Sequence, residues 1–264
     1  MMSHLGMYEA KILPSYIQLN NVAKIFYTKG GKVEALRDVN MEIGENQFVS
    51  IVGPSGCGKT TILKIIAGLT EPTTGEVYVR GQKVVNIIQN VGMVFQSPVL
   101  LKWRTVLKNI MLPIEIKKLS EKEYLEKAHN LIELTGLKGF EDKYPNELSG
   151  GMQQRVSICR ALITDPDILL MDEPFGALDA LTREQLNREL INIWQYKKKT
   201  VVFVTHSVNE AVYLSDKIFV MSPRPGTVIE EINVDLPRPR IRSDPKFIAL
   251  VEKILKLLGV AVDA

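Results

Sequence analysis

Cysteine is nearly missing from the chain: Cys57 and Cys159 are the only two in 264 residues. Two thiols build no disulfide framework, and both fall inside segments that carry other motifs, so a reducing cytosol fits. Histidine occurs three times and aromatic residues make up 7%, which leaves few candidates for imidazole chemistry or ring stacking. Long apolar runs are missing as well. None approaches the ~20 residues needed to span a bilayer, and the first residues show no apolar signal-peptide core. If the protein works at a membrane, other chains supply the span. Charge of one sign is scarce too: 33 basic residues against 30 acidic ones leave +3, too little for an electrostatic footprint on nucleic acid. Lys197-Lys198-Lys199 is the only basic run of note and reads as a solvated helix end.

What is present is ordinary in amount. Apolar residues at 45% and charged ones at 24% suit a globular protein with one sizeable core, with or without a subdomain. Residues 1–16 lack a period and read as a loose leader. Rough alternation from Ile17 to Lys24 and from Ala35 to Ile43 predicts half-buried antiparallel strands. Short apolar runs predict strands at Phe48–Val52, Glu76–Val79, Val91–Phe95, Ile168–Met171, Thr200–Val204, Ile218–Met221 and Val228–Val234. Helical spacing covers Thr61–Ala67, with Gly68 as a stop, and most of residues 105–163, notably Val106–Ile116 and Glu121–Thr135 and again after Ser149. Further helices are predicted around Arg183–Tyr196 and at Phe247–Leu258. The order implies an α/β fold with a phosphate-loop core, an antiparallel β element near the start and a helical insertion in the middle.

Gly53-Pro54-Ser55-Gly56-Cys57-Gly58-Lys59-Thr60 fits the Walker A pattern G-x-x-x-x-G-K-[ST] without a mismatch. It lies between a predicted strand and a predicted helix, the context a true phosphate loop needs. Glycines let backbone N–H groups encircle an anion, and the helix start adds its positive dipole end. Lys59 can reach the β- and γ-phosphates, and Thr60 can offer its hydroxyl to Mg²⁺. Asp172 closes the apolar run Ile168-Leu169-Leu170-Met171, so its carboxylate would emerge beside the phosphates and hold Mg²⁺; Glu173 follows it directly. A Walker A loop alone would say only that a nucleotide binds.

Between these two lies Leu148-Ser149-Gly150-Gly151-Met152-Gln153-Gln154-Arg155, a second glycine-rich helix start with Ser149 at the N-cap position. With the three elements in this order, the chain resembles the ATP-binding subunit of an ABC transporter, over roughly residues 17–240. The resemblance implies a P-loop NTPase (RecA-like) core with a helical subdomain at about 97–163, followed by a helical tail at 241–264. It implies that Thr61 meets the α-phosphate and that Glu173 is the general base. Gln96 matches the loop that reaches Mg²⁺ or the attacking water. His206 matches the loop whose imidazole would meet the γ-phosphate, while His4 and His129 lack any motif context. Ser149, Gly150 and Gly151 would act on the nucleotide of a second copy, and Asp179 would cross the same interface. An early-strand aromatic would stack on adenine: Phe26 aligns best, with Tyr27 adjacent.

Pro174–Arg183, His206–Asp216, Met221–Gly226 and Pro98–Val106 are similar to the importer ATPases for nitrate, sulfonates, taurine and pyrimidine precursors, although Lys102 stands where that branch more often has Pro. Partners so implied are a second copy, membrane permease subunits and, indirectly, a solute-binding protein, with the chain on the cytoplasmic face of the membrane. Trp103 and Arg104, next to the Gln96 loop, are candidates for the permease contact; a local core position is the other reading of Trp103. A chromosome-type ABC ATPase would need a long coiled coil between the motifs. A phosphate-loop kinase leaves Leu148–Arg155 unexplained.

Overall fold

The computed structural model describes residues 15–260, except residue 177. The leader expected at 1–16 therefore lies outside the described residues but for Ser15 and Tyr16. Two sheets sandwich a helix. The first is antiparallel: β1 (Ile17–Thr28), β2 (Gly31–Ile43), β4 (Thr74–Val79) and β5 (Gln82–Lys83), in the order β2-β1-β4-β5. The second holds β3 (Phe48–Val52), β6 (Val91–Val94), β7 (Ile168–Asp172), β8 (Thr200–Thr205), β9 (Lys217–Met221) and β10 (Val228–Asn233), in the order β10-β9-β3-β8-β7-β6. All its pairings are parallel except β10 on β9.

Sequence pattern explains the two kinds of sheet. Strands β3, β7 and β8 are buried at every residue, as parallel strands covered on both faces must be. β1 alternates only in part, because register shifts between Leu19 and Ile25 break its period. For that reason the expected end at Lys24 falls short, and the strand runs on to Thr28 through the hairpin with β2. Helix α1 (Lys59–Ile66) starts two residues before the expected Thr61, since Gly58 at φ +103° serves as its N-cap. It buries Ile62, Leu63, Ile65 and Ile66 between the sheets. It ends where Gly68 (φ +72°) lies against the Asn86 carbonyl, with no room for a Cβ.

Between β6 and β7 the chain turns helical: α2 (Val106–Ile116), α3 (Glu121–Leu134) and α4 (Gly150–Leu162). They pack with α5 (Ala180–Lys197) onto the outer face of the parallel sheet around Val156, Leu162, Phe175 and Phe203. Lys199 departs from the solvated reading: it pairs with Asp165 at 3.0 Å and is only 16% exposed.

Helices α6 (Val208–Leu214) and α7 (Pro245–Leu257) form a third cluster with β9 and β10, through Val212, Ile218, Ile232, Phe247 and Ile254. Arg240 fastens it. Its buried guanidinium donates to the carbonyls of Val212 (2.7 Å) and Ser215 (2.6 Å) at the end of α6 and to Val234 (3.2 Å) after β10. Burial draws its pKa down to about 10. Among the described residues no helix is long and apolar enough to cross a membrane.

Candidate active site

Four neighbouring strands of the parallel sheet, β3, β8, β7 and β6, end on one side, where open α/β sheets place their ligands. Each is followed within two residues by a residue singled out in the sequence. The loop after β3 leaves Ser55 and Gly56 exposed and buries Gly53 and Cys57, with Pro54 and Thr61 half-buried. At Gly58 a Cβ would collide with Leu36 of β2. Burial pushes the Cys57 thiol up, so it stays protonated.

Lys59 is buried and folded back over its own loop. Its Nζ donates to the carbonyls of Gly53 (2.9 Å) and Pro54 (3.0 Å) and lies 3.7 Å from Glu173 Oε1. Thr60 Oγ1 donates to Asp172 Oδ1 at 2.9 Å. Burial raises the Asp172 carboxyl, and the Thr60 hydroxyl opposes that rise.

Glu173 follows β7 in a left-handed turn, φ +43°, uncommon outside glycine and costly enough to be kept only where structure enforces it. Its N–H donates to Val204 O at 2.9 Å and its carbonyl accepts from Gly176 at 3.1 Å. Its Oε2 receives Gln96 Nε2 at 3.4 Å and lies 3.3 Å from His206 Nδ1. Lys59, Gln96 and His206, each from a different strand end, thus meet at one carboxylate.

Ser149 and Asp179 stand elsewhere. Ser149 caps α4, accepting from Met152 N–H at 3.3 Å, and it is exposed together with Gly150. Gly151 faces Thr182, whose Cγ2 would be 2.6 Å from an added Cβ. Asp179 caps α5, accepting from Leu181 (3.1 Å) and Thr182 (3.0 Å); the Thr182 amide foremost holds its carboxyl below the usual range. No hydrogen bond or ion pair among the described residues joins Ser149 or Asp179 to Lys59 or Glu173.

In the β1–β2 hairpin Phe26 pairs with Val33, and Tyr27 with Lys32. Tyr27 is 70% exposed and Phe26 39%, so Phe26 is the more enclosed of the two rings. Trp103 is 72% exposed; its core reading falls.

Some contacts of the site region gave no signal in the sequence, even at a residue inside a quoted motif. Gln154 of α4 donates to the Phe95 carbonyl at 3.3 Å, next to Gln96. Gly226 donates to Ala35 O at 2.9 Å, accepts from Arg37 at 2.9 Å and rests on the Cys57 carbonyl. Its only trace in the sequence is a Pro-Gly turn inside a stretch read as a branch marker.

A phosphate loop, an Asp-Glu strand end and polar groups gathered from adjacent parallel strands make this an ATPase cassette of the P-loop class. Residues 36–176 match the family model described as ABC transporter. An uncharacterised ABC transporter ATP-binding protein of Methanocaldococcus jannaschii is 52% identical over 242 residues, 92% of this chain and 91% of that one. The aliphatic sulfonates import ATP-binding protein SsuB of Bacillus cereus is 43% identical over 240 residues (91% and 94%). The nitrate import ATP-binding protein NrtD of Synechocystis is 40% identical over 252 residues (92% and 95%). Among solved structures, a dimeric bacterial ABC transporter cassette superposes with TM-score 0.75 at 38% identity, over 84% of this chain and all of that one. The chain belongs to the ABC transporter family, as an ATP-binding, ATP-hydrolysing subunit.

Proposed function

We propose that two copies of this chain bind Mg²⁺-ATP between them and hydrolyse it to power uptake of a small solute, such as nitrate, a sulfonate or taurine, through separate permease subunits. One observation carries this reading: Lys59, Gln96 and His206 converge on Glu173, beside the paired Thr60 and Asp172. The relatives named for sulfonate and nitrate import support the direction of transport and the solute class. The dimeric neighbour supports two copies.

Among the described residues no cluster of three or more His, Cys, Asp or Glu forms a metal cage. Two adjacent oxygens, from Thr60 and Asp172, instead suit a cation that keeps waters and phosphate oxygens as its other ligands, which is how Mg²⁺ binds. Gln96 would add its side-chain oxygen. Mg²⁺ would neutralise charge on the phosphates.

The amides of Gly53 to Gly58 cradle the phosphates, and Lys59 exchanges the Gly53 and Pro54 carbonyls for phosphate oxygens. Thr61 meets the α-phosphate, and Phe26 stacks on adenine. Glu173 takes a proton from the attacking water as its oxygen bonds to the γ-phosphorus and ADP leaves; Gln96 and His206 hold that carboxylate and the water in place. Ser149, Gly150 and Gly151 of one copy complete the site of the other, with Asp179 at the shared interface. Such a subunit works at the cytoplasmic face of the membrane and serves a solute-binding protein indirectly.

Mg²⁺-dependent ATP turnover that vanishes in Lys59→Ala, together with co-purification with a permease, tests the proposal. Normal turnover by Lys59→Ala, or failure to associate with any permease, would overturn it.

A further inference from the structure

The segment after Gln96 is held by α4 in an unusual shape. Val99 adopts φ +47°, a left-handed conformation in which a β-branched side chain is a true outlier. Arg160 of α4 reaches across to it, donating through Nη1 to the Val99 carbonyl at 2.8 Å and through Nη2 to the Pro98 carbonyl at 2.7 Å. Both nitrogens of one planar fork are used on two successive carbonyls, a geometry that lysine cannot copy. The charge is not spent elsewhere: among the described residues Arg160 makes no ion pair with a carboxylate, and burial is what lowers its pKa. Further along the loop, Asn109 of α2 binds both the N–H and the carbonyl of Leu101, at 2.8 and 3.1 Å. On the other side Gln154 holds Phe95.

We propose that Arg160 is a positioning residue of the ATPase, clamping Pro98 and Val99 in a strained turn so that Gln96 stays on Glu173. The inference rests on the role given above to Gln96. Arg160 sits near the end of the helix that Ser149 begins, so one rigid rod joins the second anion cradle to the loop that senses the nucleotide. Without the clamp, Val99 relaxes to a negative φ and carries Gln96 off the carboxylate. The bound ground state is little affected, because Lys59 and the loop amides hold ATP, so the loss falls on kcat rather than on KM.

Strain supplies the test. Glycine adopts the left-handed conformation freely, so Val99→Gly removes the reason for a clamp. Arg160→Gln is expected to lower kcat about tenfold, as release of one strained residue allows, with KM for ATP within about twofold. Val99→Gly alone stays within about twofold of wild type, and the double variant Arg160→Gln with Val99→Gly recovers to about the same level. A crystal structure of Arg160→Gln shows Val99 at negative φ. Wild-type kcat in Arg160→Gln, a double variant as slow as the single one, or Val99 still left-handed without its clamp each overturns the proposal. Should Arg160→Gln not fold, Arg160→Lys carries the same expectation, since it keeps charge and stem but not the fork. Gln96→Ala is run alongside: wild-type kcat there removes the role of Gln96, while the φ of Val99 still decides that of Arg160.

Discussion

Gly226 is pressed onto the carbonyl of Cys57, leaving no room for a side chain between the β9–β10 turn and the phosphate loop. Gly226→Ala must push the loop or the turn aside. Overpacking of this kind costs roughly 1–3 kcal/mol, and here it falls on the loop proposed to cradle the phosphates. The expected result is ATP affinity lowered about tenfold with a lower melting temperature, read by titration with a fluorescent nucleotide and by thermal unfolding. Unchanged affinity and stability would show that the loop does not depend on this contact.

Glu173→Gln keeps the shape and removes the carboxylate proposed as the base. Turnover is expected to fall by about 10²–10⁴, the usual share of a general base, while ATP binding persists. ATP should then trap a dimer, visible by light scattering. Hydrolysis at the wild-type rate would take Glu173 out of the proton-transfer step.

Ser149→Arg places bulk and charge on an exposed helix start that no hydrogen bond or ion pair among the described residues joins to the chain's own Lys59–Glu173 cluster. Binding of ATP to the monomer is expected to survive, and hydrolysis, on the proposed action across the dimer, to stop. A monomer that no longer binds nucleotide would contradict action across the interface.

Trp103 presents a large ring to solvent beside Arg104, whose guanidinium is anchored on Glu115 at 2.7 Å. Trp103→Ala should leave folding within about 0.5 kcal/mol, as for other exposed positions, and the basal ATPase of the free subunit unchanged. Permease association and transport should weaken; pull-down and solute uptake in the assembled transporter check both. Normal assembly and transport would move the docking surface elsewhere.

The residues that form the chemical centre were legible because each follows a strand end with its own local pattern. Walker A, Asp172-Glu173, Gln96 and His206 all come from short motifs, and parallel strands bring such positions together. Other features have no local signature. Nothing around Glu173 announces a positive φ, and Arg160 finds its two carbonyls 61 and 62 residues away. Asp179 was singled out for its interface, yet it also caps α5, which moves the helix start from Arg183 to Ala180. The β1 bulges hid the hairpin that carries Phe26. Long-range backbone contacts and strained turns are decided by packing, and packing leaves no period in a sequence.

Arg240 closes over the last carbonyls of α6, and α6 opens one residue after the dipeptide His206-Ser207. Arg240 and the imidazole beside Glu173 therefore sit at the two ends of one short spindle. A protease nick, a fusion junction or a truncation placed just before Arg240 would strand three buried carbonyl oxygens and let that spindle turn. Its effect would register as slowed catalysis well away from the cut.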